Sequence, residues 1–538
     1  SFSGGFREFS SEYGISMPDP AFGTYPKEAY PACLELALEL EKRLENGQTL
    51  SRLLTNEPEA CGPYSFLPDL AKIEEAKYRL HSFPPAMPEK IDRRQVNPAL
   101  ELISAAWAGL PGFLSDRAHA PQPGSTYVLV MIKPGRKRVQ VREADARDLL
   151  ALKIMAEDMD SRKAAAEGGV SVGAIDELLF FAEKRGLLLA PPSRIRRPAD
   201  FPKGRITDPD VFTSPTFTLQ WHVTQACDLN CRHCYDRSDR SDMTLTQALA
   251  VLDDLYDFCK QHNVFGQVSF TGGNPLLYPH FDRLYAEAAD RGFMTAVLGN
   301  PMPRARIESL INIQKLEFYQ VSLEGTTAHN DYIRGDGHFD RTLKFLEELG
   351  ELGVYRMVML TLTRDNMGQV LELADHLKDR TELFTFNRLA PVGQGAQLAA
   401  VAPADYPEFL KSYFSAAQSH PFMSLKDNLF NLLCWQQGRS TGGGCTGHGC
   451  GAAFNFVSLL PDGEVHACRK LPSLIGNIYE KPLNDIYHGD LARRYRAGSS
   501  ACRDCEIRPV CGACLAVGHG LGNDIFNDPD PYCFRLRA

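Results

Sequence analysis

The sequence contains no long block of charge of one sign, no apolar run near the length of a membrane span, and no basic start followed by an apolar stretch. Apolar runs such as "LLFF" near 178–181 fall far short of the roughly 20 residues that a membrane helix needs. The net charge of −9 gives no support to nucleic-acid binding, and the start "SFSGGFREFS" lacks the pattern of a secretion signal. We therefore expect a protein of the cytoplasm that binds neither nucleic acid nor membrane.

Cysteine, by contrast, is abundant and clustered. Of fifteen cysteines, three fall within 227–234 and eight between 445 and 533. In a reducing compartment, clustered cysteines indicate metal binding rather than disulfides. Four cysteines stand apart and are expected to be small buried side chains: Cys33, Cys61, Cys259 and Cys434.

The composition of the chain changes along its length and suggests four domains. Residues 1–120 carry helix-period apolar patterns, such as "LPDLAKIEEAKYRLHS", and predict a helical module of unknown role. Residues 121–195 contain two β-rich runs around Pro134 and Gly135, which predict a hairpin, followed by helical patterns. Residues 210–400 alternate between strand and helix patterns, and residues 401–538 are loop-rich and hold the cysteine cluster.

Six strands are predicted within 210–400: "FTLQWHVT", "QVSFTGG", "MTAVLGN", "FYQVSLEG", "YRMVMLTLT" and "LFTFNRLAPVG". Strands that alternate with helices favour a parallel sheet, here curled into a partial (β/α)6, TIM-like barrel. The predicted fold class is therefore α/β. Sites in such barrels gather at the carboxyl ends of the strands, and the three-cysteine loop "TQACDLNCRHCYD" directly follows the first strand.

This loop carries Cys227, Cys231 and Cys234 with x3 and x2 gaps. Structural zinc needs four ligands, usually in paired CxxC-like units, whereas a 4Fe–4S cluster on three thiolates leaves one iron open to a small molecule. The C-x3-C-x2-C motif resembles that of the radical S-adenosylmethionine (SAM) enzymes. That resemblance implies that SAM binds the open iron and is cleaved reductively to a 5′-deoxyadenosyl radical, which abstracts hydrogen.

The same resemblance implies further SAM-binding residues. "FTGGNP" ends the second strand where the family usually has Gly-Gly-Glu, and Asn274 replaces the Glu. "SLEG" and "IRG" supply Ser322 and Arg334 for the methionyl carboxylate, and Glu324 stands where many relatives have Asp. His233 and Tyr235 either flank the adenine or pack the loop. The implied SAM-binding set is His233, Tyr235, Gly272, Gly273, Asn274, Ser322, Glu324 and Arg334.

The C-terminal cysteines resemble the SPASM extension of radical SAM enzymes, which carries two auxiliary 4Fe–4S clusters. By position, the inner cluster has the ligands Cys445, Cys450, Cys468 and Cys514, and the outer cluster has Cys502, Cys505, Cys511 and Cys533. Spacing alone leaves two zinc ribbons open as the alternative. The implied cofactors are thus SAM and three 4Fe–4S clusters.

The predicted function is oxidative modification of a peptide. Residues 121–195 resemble the winged-helix domain with which many peptide maturases hold a leader as an added strand; a DNA-binding winged helix is the alternative. We predict a radical SAM oxidoreductase that installs a crosslink, a thioether above all, in a ribosomally made precursor peptide. Its layout resembles that of maturases of the selenobiotic type, and it needs a reductant such as flavodoxin or ferredoxin.

Three alternatives remain at this stage: a formylglycine-forming sulfatase maturase, another SPASM dehydrogenase, and a non-catalytic zinc-stabilised scaffold. Sulfatase maturases place an Asp base directly after the cysteine that corresponds to Cys468, where this chain has Arg469. An arginine does not serve as a base. Candidate bases at the barrel mouth are Glu324, His329 and Asp331, each of which also suits a structural role.

Overall fold

The computed structural model describes residues 25–46 and 49–537. It separates into two compact units, the first ending at Pro192 and the second beginning at Ser193. Ten short 3-10 helices occur among the described residues: Lys27–Ala29, Leu38–Asn46, Pro58–Cys61, Pro209–Phe212, Pro275–Leu277, Met367–Gln369, Gly393–Gln397, Ser500–Cys502, Arg508–Val510 and Phe534–Arg537. No helix in these ranges combines the length and the apolar character needed to cross a membrane.

The described residues of the first unit form five strands and seven α-helices. The strands are β1 (Gln95–Val96), β2 (Leu100–Ala108), β3 (Gln122–Ile132), β4 (Val139–Glu143) and β5 (Leu188–Leu189). Strands β2, β3 and β4 form an antiparallel sheet in that order, and β1 pairs with β5. The helices are Pro31–Leu36, Leu50–Asn56, Leu67–Ser82, Leu110–Ser115, Ala146–Ala156, Ser161–Gly168 and Val172–Arg185. The hairpin predicted around Pro134 and Gly135 is confirmed by the pairing of β3 with β4.

The segment 1–120, expected to be a helical module, contains helices up to Leu67–Ser82 but also strand β2, and its residues 1–24 lie outside the described ones. This strand pairs with β3 along its length, so the boundary expected at residue 120 lies between two strands of one sheet. Leu100 and Leu102 pack into one apolar cluster, whereas Ile103 and Ala105 pack into another. A strand buried on both faces lacks the apolar–polar alternation by which a strand is recognised. The four-domain division and the winged-helix assignment stay predictions.

The second unit is built on six parallel strands. They are β6 (Thr216–Thr224), β7 (Phe265–Gly272), β8 (Met294–Leu298), β9 (Phe318–Ser322), β10 (Arg356–Leu362) and β11 (Leu383–Arg388). Each pairs with the next in parallel, which confirms the six predicted strands. The helices between them are Leu245–His262, Phe281–Asp290, Arg304–Ile313, Thr327–Arg334, His338–Glu351 and Val370–Leu377. Because parallel neighbours share one direction, all six carboxyl ends lie on the same edge.

The C-terminal region extends this sheet. Strand β12 (Phe456–Leu459) pairs in parallel with β6, and β13 (Glu464–His466) and β14 (Leu474–Asn477) follow in antiparallel order, giving nine strands. The remaining helices are Tyr406–Ser419, Phe430–Gln436, Leu483–His488, Asp490–Ala497 and Leu515–Gly520. All four residues of β12 are buried, so apolar burial joins the cysteine-rich region to the first barrel strand.

Candidate functional site

The three-cysteine loop lies at the carboxyl end of β6, as predicted. Cys227, Cys231 and Cys234 line a cavity of about 360 Å³. The carboxyl ends of β7, β8 and β9 complete the wall of this cavity, which we call the SAM cavity. Cys227 is exposed and the other two thiols are half-buried. The loop thus presents three sulfur atoms to a space bounded by neighbouring parallel strands.

Gly272 and Gly273 let the end of β7 approach this loop closely. The Gly273 N–H donates to the Thr224 carbonyl at 2.9 Å. A Cβ at Gly273 would lie 2.1 Å from the Ala226 oxygen, and one at Gly272 would lie 2.3 Å from the Thr224 oxygen. Gly272 also has a φ of +139°, a conformation that side chains disfavour. Both glycines line the SAM cavity, and both are needed for the backbone of the cysteine loop to fit.

Asn274 does not line the SAM cavity, contrary to its expected place beside SAM. Its side chain is fully buried and donates to Asp228 Oδ1 at 3.0 Å. Asn300 donates to the same oxygen at 2.6 Å and lies 3.6 Å from Cys227 Sγ. Asn274 therefore binds the cysteine loop through Asp228 and does so outside the lining of the SAM cavity. Asn300, which sequence reasoning missed, brings an N–H donor to a cysteine sulfur.

Arg334 and Ser322 both line the SAM cavity, whereas Glu324 lies behind it. Glu324 is 2% exposed and accepts from Arg334 at 2.6 and 3.0 Å and from the Thr361 N–H at 2.8 Å. Burial would raise the pKa of the Glu324 carboxyl, but His233 and Arg334 together lower it well below its ordinary value. Glu324 is thus a fixed anion that orients Arg334, and it is not placed to contact SAM or to act as a base.

Two of the three sulfurs, those of Cys227 and Cys231, have neighbours that fit thiolate ligands. Arg334 Nη1 lies 3.8 Å from Cys231 Sγ, which adds to the N–H of Asn300 beside Cys227. Burial raises the pKa of the Cys231 thiol, and the charge of Arg334 acts in the opposite direction. Donors and a cation near sulfur favour the thiolate form that iron requires.

His233 and Tyr235 line the same cavity but have different partners. His233 Nε2 lies 3.3 Å from Glu324. The Tyr235 hydroxyl lies 3.1 Å from His222 Nε2, and the Arg469 guanidinium lies 5.6 Å from the Tyr235 ring centroid. Burial raises the pKa of Tyr235 to about 12 and lowers that of His222 to about 3, so this pair stays uncharged near neutral pH.

The other two candidate bases lie outside the cavity lining. Asp331 accepts the N–H groups of Gly337 and Phe339 at 2.7 and 2.9 Å, which ties the end of one helix to the start of the next. Burial would raise the pKa of Asp331, but these bonds lower it. His329 keeps a buried Nε2 that has no hydrogen-bond partner among the described residues, and burial lowers its pKa. The hydrogen bonds from Gly337 and Phe339 give Asp331 a structural role.

The C-terminal cysteines separate into two neighbourhoods. Cys445, Cys468 and Cys514 line a second cavity of about 140 Å³, the cysteine cavity. Burial raises the pKa of Cys450, and the charge of Cys445 adds to the shift. The cysteines of the predicted outer set lie near one another instead. Burial raises the pKa of Cys502 to about 11, and the charges of Cys505 and Cys533 contribute to this increase. Burial likewise raises the pKa of Cys511, and the charges of Cys502 and Cys505 contribute to the increase.

These neighbourhoods match the two predicted ligand sets, and ligation itself stays a prediction. In the described ranges, no three His, Cys, Asp or Glu side chains converge as ligands of one metal ion.

The SAM cavity and the cysteine cavity share part of their lining. Leu298, Gln320 and Arg469 border both. Sequence reasoning considered Arg469 only as the replacement of a base and missed Gln320. A signal for Gln320 was present, because it is a polar residue inside the apolar strand "FYQVS" and is 8% exposed.

Two family profiles match the chain. The radical SAM superfamily matches residues 221–377, and the SPASM iron–sulfur cluster-binding domain matches residues 450–506. These ranges contain the three-cysteine loop and four of the eight C-terminal cysteines: Cys450, Cys468, Cys502 and Cys505.

Relatives with assigned roles cover somewhat more than half of this chain. The AdoMet-dependent heme synthase of Methanosarcina barkeri is 28% identical, over 60% of this chain and 97% of the relative. Mycofactocin maturase MftC of Mycobacterium tuberculosis is 28% identical, over 59% and 82%. The antilisterial bacteriocin subtilosin biosynthesis protein AlbA of Bacillus subtilis is 24% identical, over 55% and 67%. With both profile matches in place, the chain carries a radical SAM domain followed by a C-terminal SPASM iron–sulfur cluster-binding domain.

Proposed function

We propose that this enzyme matures a ribosomally made precursor peptide by installing an oxidative crosslink, a thioether from a Cys sulfur. The observation that carries the proposal is the lining shared by the two cavities, at Leu298, Gln320 and Arg469. A substrate held there would touch both the site of hydrogen abstraction and a site of electron removal. The relatives named as a maturase and as a bacteriocin biosynthesis protein support a peptide as that substrate.

The proposed cofactor sites follow the cysteine groups. Cys227, Cys231 and Cys234 would hold the SAM-binding cluster, and the two C-terminal sets would hold one 4Fe–4S cluster each. When bound, SAM and its cluster supply hydrogen abstraction, and the auxiliary clusters supply an acceptor for the electron lost by the product. The protein's own task is positioning: Ser322 and Arg334 offer a hydroxyl and a guanidinium to the methionyl carboxylate, and Glu324 fixes the guanidinium.

We further propose that the first unit binds the leader of the precursor. Strand β4 (Val139–Glu143) is at the edge of its sheet, paired with β3 on one side. Edge strands accept an extended peptide through backbone hydrogen bonds. A flavodoxin or ferredoxin in the cytoplasm would provide the electrons. The narrower likeness to maturases of the selenobiotic type also stays a proposal.

The three alternative functions are supported to different degrees. A non-catalytic scaffold is not retained, because the chain carries a radical SAM domain. A sulfatase maturase is disfavoured, since Arg469 follows Cys468 and its guanidinium binds Thr271 Oγ1 at 3.1 Å. A small-molecule substrate is the second candidate, because a heme synthase is 28% identical over 97% of its own length.

The first experiment measures iron, sulfide and zinc in anaerobically reconstituted protein, together with 5′-deoxyadenosine released from SAM. Three cubane clusters predict about twelve irons per chain. The Cys227→Ala, Cys231→Ala, Cys234→Ala triple variant should keep about eight irons and release no 5′-deoxyadenosine. Cys259→Ala, at a buried thiol outside all three groups, is the matched control. About four irons plus zinc in wild type would refute the auxiliary clusters.

The second experiment tests the substrate. The loaded enzyme is incubated with SAM, a reductant and any short Cys-containing peptide that is found to be encoded beside its gene. A crosslinked product should have lost two hydrogen atoms per bond, as measured by mass spectrometry, and the triple variant should leave the peptide unchanged. Consumption of a tetrapyrrole with no change in any peptide would favour the small-molecule candidate instead.

A further inference from the structure

The wall of the cysteine cavity carries cations that lack an acidic partner. Lys426, Arg469 and Lys470 all line it, and within the described ranges none has a carboxylate at salt-bridge distance. Arg388, the fourth cation of this lining, differs because it is bound by Asp427 at 2.8 Å and by Asp530 at 2.8 and 2.9 Å. Within the described residues, three half-buried positive charges therefore remain without a carboxylate partner.

Half-buried cations are costly to hold unless an anion compensates them. Two anions could do so: the thiolates of the neighbouring cysteines, or a group on the substrate. The position of Arg469 favours the substrate. Its Nη1 donates to Thr271 Oγ1 on β7 at 3.1 Å, and its guanidinium lies over the Tyr235 ring, so it extends into the SAM cavity.

The guanidinium of Arg469 is suited to bind a carboxylate there. Thr271 occupies one of its nitrogens, and a guanidinium offers five N–H donors in a planar fork that matches two carboxylate oxygens. Tyr235, whose ring lies beneath it, limits the movement of this fork. Lys426 and Lys470 add positive charge on the side of the cysteine cavity.

We infer that Arg469, supported by Lys426 and Lys470, binds a carboxylate of the substrate at the wall shared by the two cavities. The inference rests on the proposed function, since it names the chemical class of the group bound at that same site. Two sources supply this chemistry in a peptide: the C-terminal carboxylate, and the side chain of an Asp or Glu. Either would anchor the substrate beside both cavities.

The test is affinity selection with defined probes. Loaded enzyme with SAM is mixed with pools of random nonapeptides, and peptides that remain bound after gel filtration are quantified by mass spectrometry. One pool ends in free carboxylates without Asp or Glu, a second is its amidated counterpart, and a third is amidated but contains Glu. A fourth pool contains small carboxylic acids and their amides.

Arg469→Gln and Arg469→Lys are compared with wild type. We expect wild type to retain the acid-bearing members about tenfold better than the neutral ones, the value of one charge-assisted contact. Arg469→Gln should lose this preference, and Arg469→Lys should keep part of it. Arg503→Gln is the matched control, because it removes an exposed charge between Cys502 and Cys505. Iron content, measured in every variant, shows whether the clusters are intact.

The outcomes separate the inference from the proposed function. Retention of the first pool identifies a C-terminal carboxylate, and retention of the third identifies an acidic side chain. Retention of small acids but of no peptide would uphold the carboxylate site and refute the peptide substrate. Equal retention of acidic and neutral peptides would refute the inference alone. Loss of iron in Arg469→Gln with unchanged acid preference would assign the cation to cluster stability and also refute it.

Discussion

Gly273→Ala is the sharpest single test of how the cysteine loop is held. The added methyl would lie 2.1 Å from the Ala226 oxygen, 2.6 Å from its carbonyl carbon and 2.7 Å from the Gln225 oxygen. All three are backbone atoms, so no side-chain rotation can relieve the clash. Ordinary van der Waals contact begins near 3.4 Å, so the three-cysteine loop must move away from residue 273 by more than 1 Å.

The displacement should affect activity more than folding. Forcing a methyl into a packed site costs about 1–3 kcal/mol, which a chain of this size can tolerate. A shift of about 1 Å at a reacting group can lower a rate about a hundredfold. We therefore expect Gly273→Ala to fold but to release 5′-deoxyadenosine about a hundredfold more slowly, with reduced iron in the three-cysteine site.

The assay compares 5′-deoxyadenosine release and iron content with those of Gly368→Ala. No atom of the part of the chain that the structure describes lies within 4 Å of a Cβ added at Gly368, and its φ is not positive. This control therefore reports the effect of the glycine-to-alanine change without a clash. Wild-type release and iron content in Gly273→Ala would refute the close approach of β7 to the loop.

Two further predictions concern buried ion pairs. Glu324→Gln leaves Arg334 without its anion and should lower the free energy of unfolding by about 3–5 kcal/mol, measured with urea. Burial alone would raise the pKa of Glu324, but His233 and Arg334 outweigh burial and lower it. Cluster-free wild type should therefore lose this stability progressively as the pH falls below about 4.3, the ordinary pKa of Glu in the unfolded chain. An equal loss in Glu324→Gln would contradict this explanation. Asp530→Asn removes the negative charge and one of the two oxygens that bind Arg388. Urea stability should therefore fall by about 3 kcal/mol, with faster hydrogen exchange over 511–533; unchanged exchange there would refute it.

The barrel and the position of its cysteine loop could be predicted from local patterns. Each of the six strands is a short apolar run bounded by turn or helix signals, and a loop after the first strand must lie at the carboxyl edge. Strand β2 could not be recognised in the same way, because Leu102 and the partly buried Ile103 pack against different apolar clusters on opposite faces. Arg334, which the resemblance implies for the methionyl carboxylate, lines the SAM cavity, and its contact with SAM stays a prediction.

Asn274 and Glu324 show where motif reasoning ends. Both stand at positions that suggest contact with SAM, yet the fold turns Asn274 towards Asp228 and Glu324 towards Arg334. A motif specifies which residue follows a strand, but side-chain direction depends on the partners that other segments bring to it. Asn300 is such a partner, and it lies 73 residues along the chain from Cys227.

By itself, the sequence determined the enzyme class, since the spacing of Cys227, Cys231 and Cys234 is local and is read directly from the chain. Only the tertiary structure decided that Gln320 and Arg469 border both cavities. Gln320 lies on β9, whereas Arg469 follows β13, a strand joined to the sheet on the far side of β6. Their meeting depends on long-range strand pairing, which no short segment of the sequence encodes.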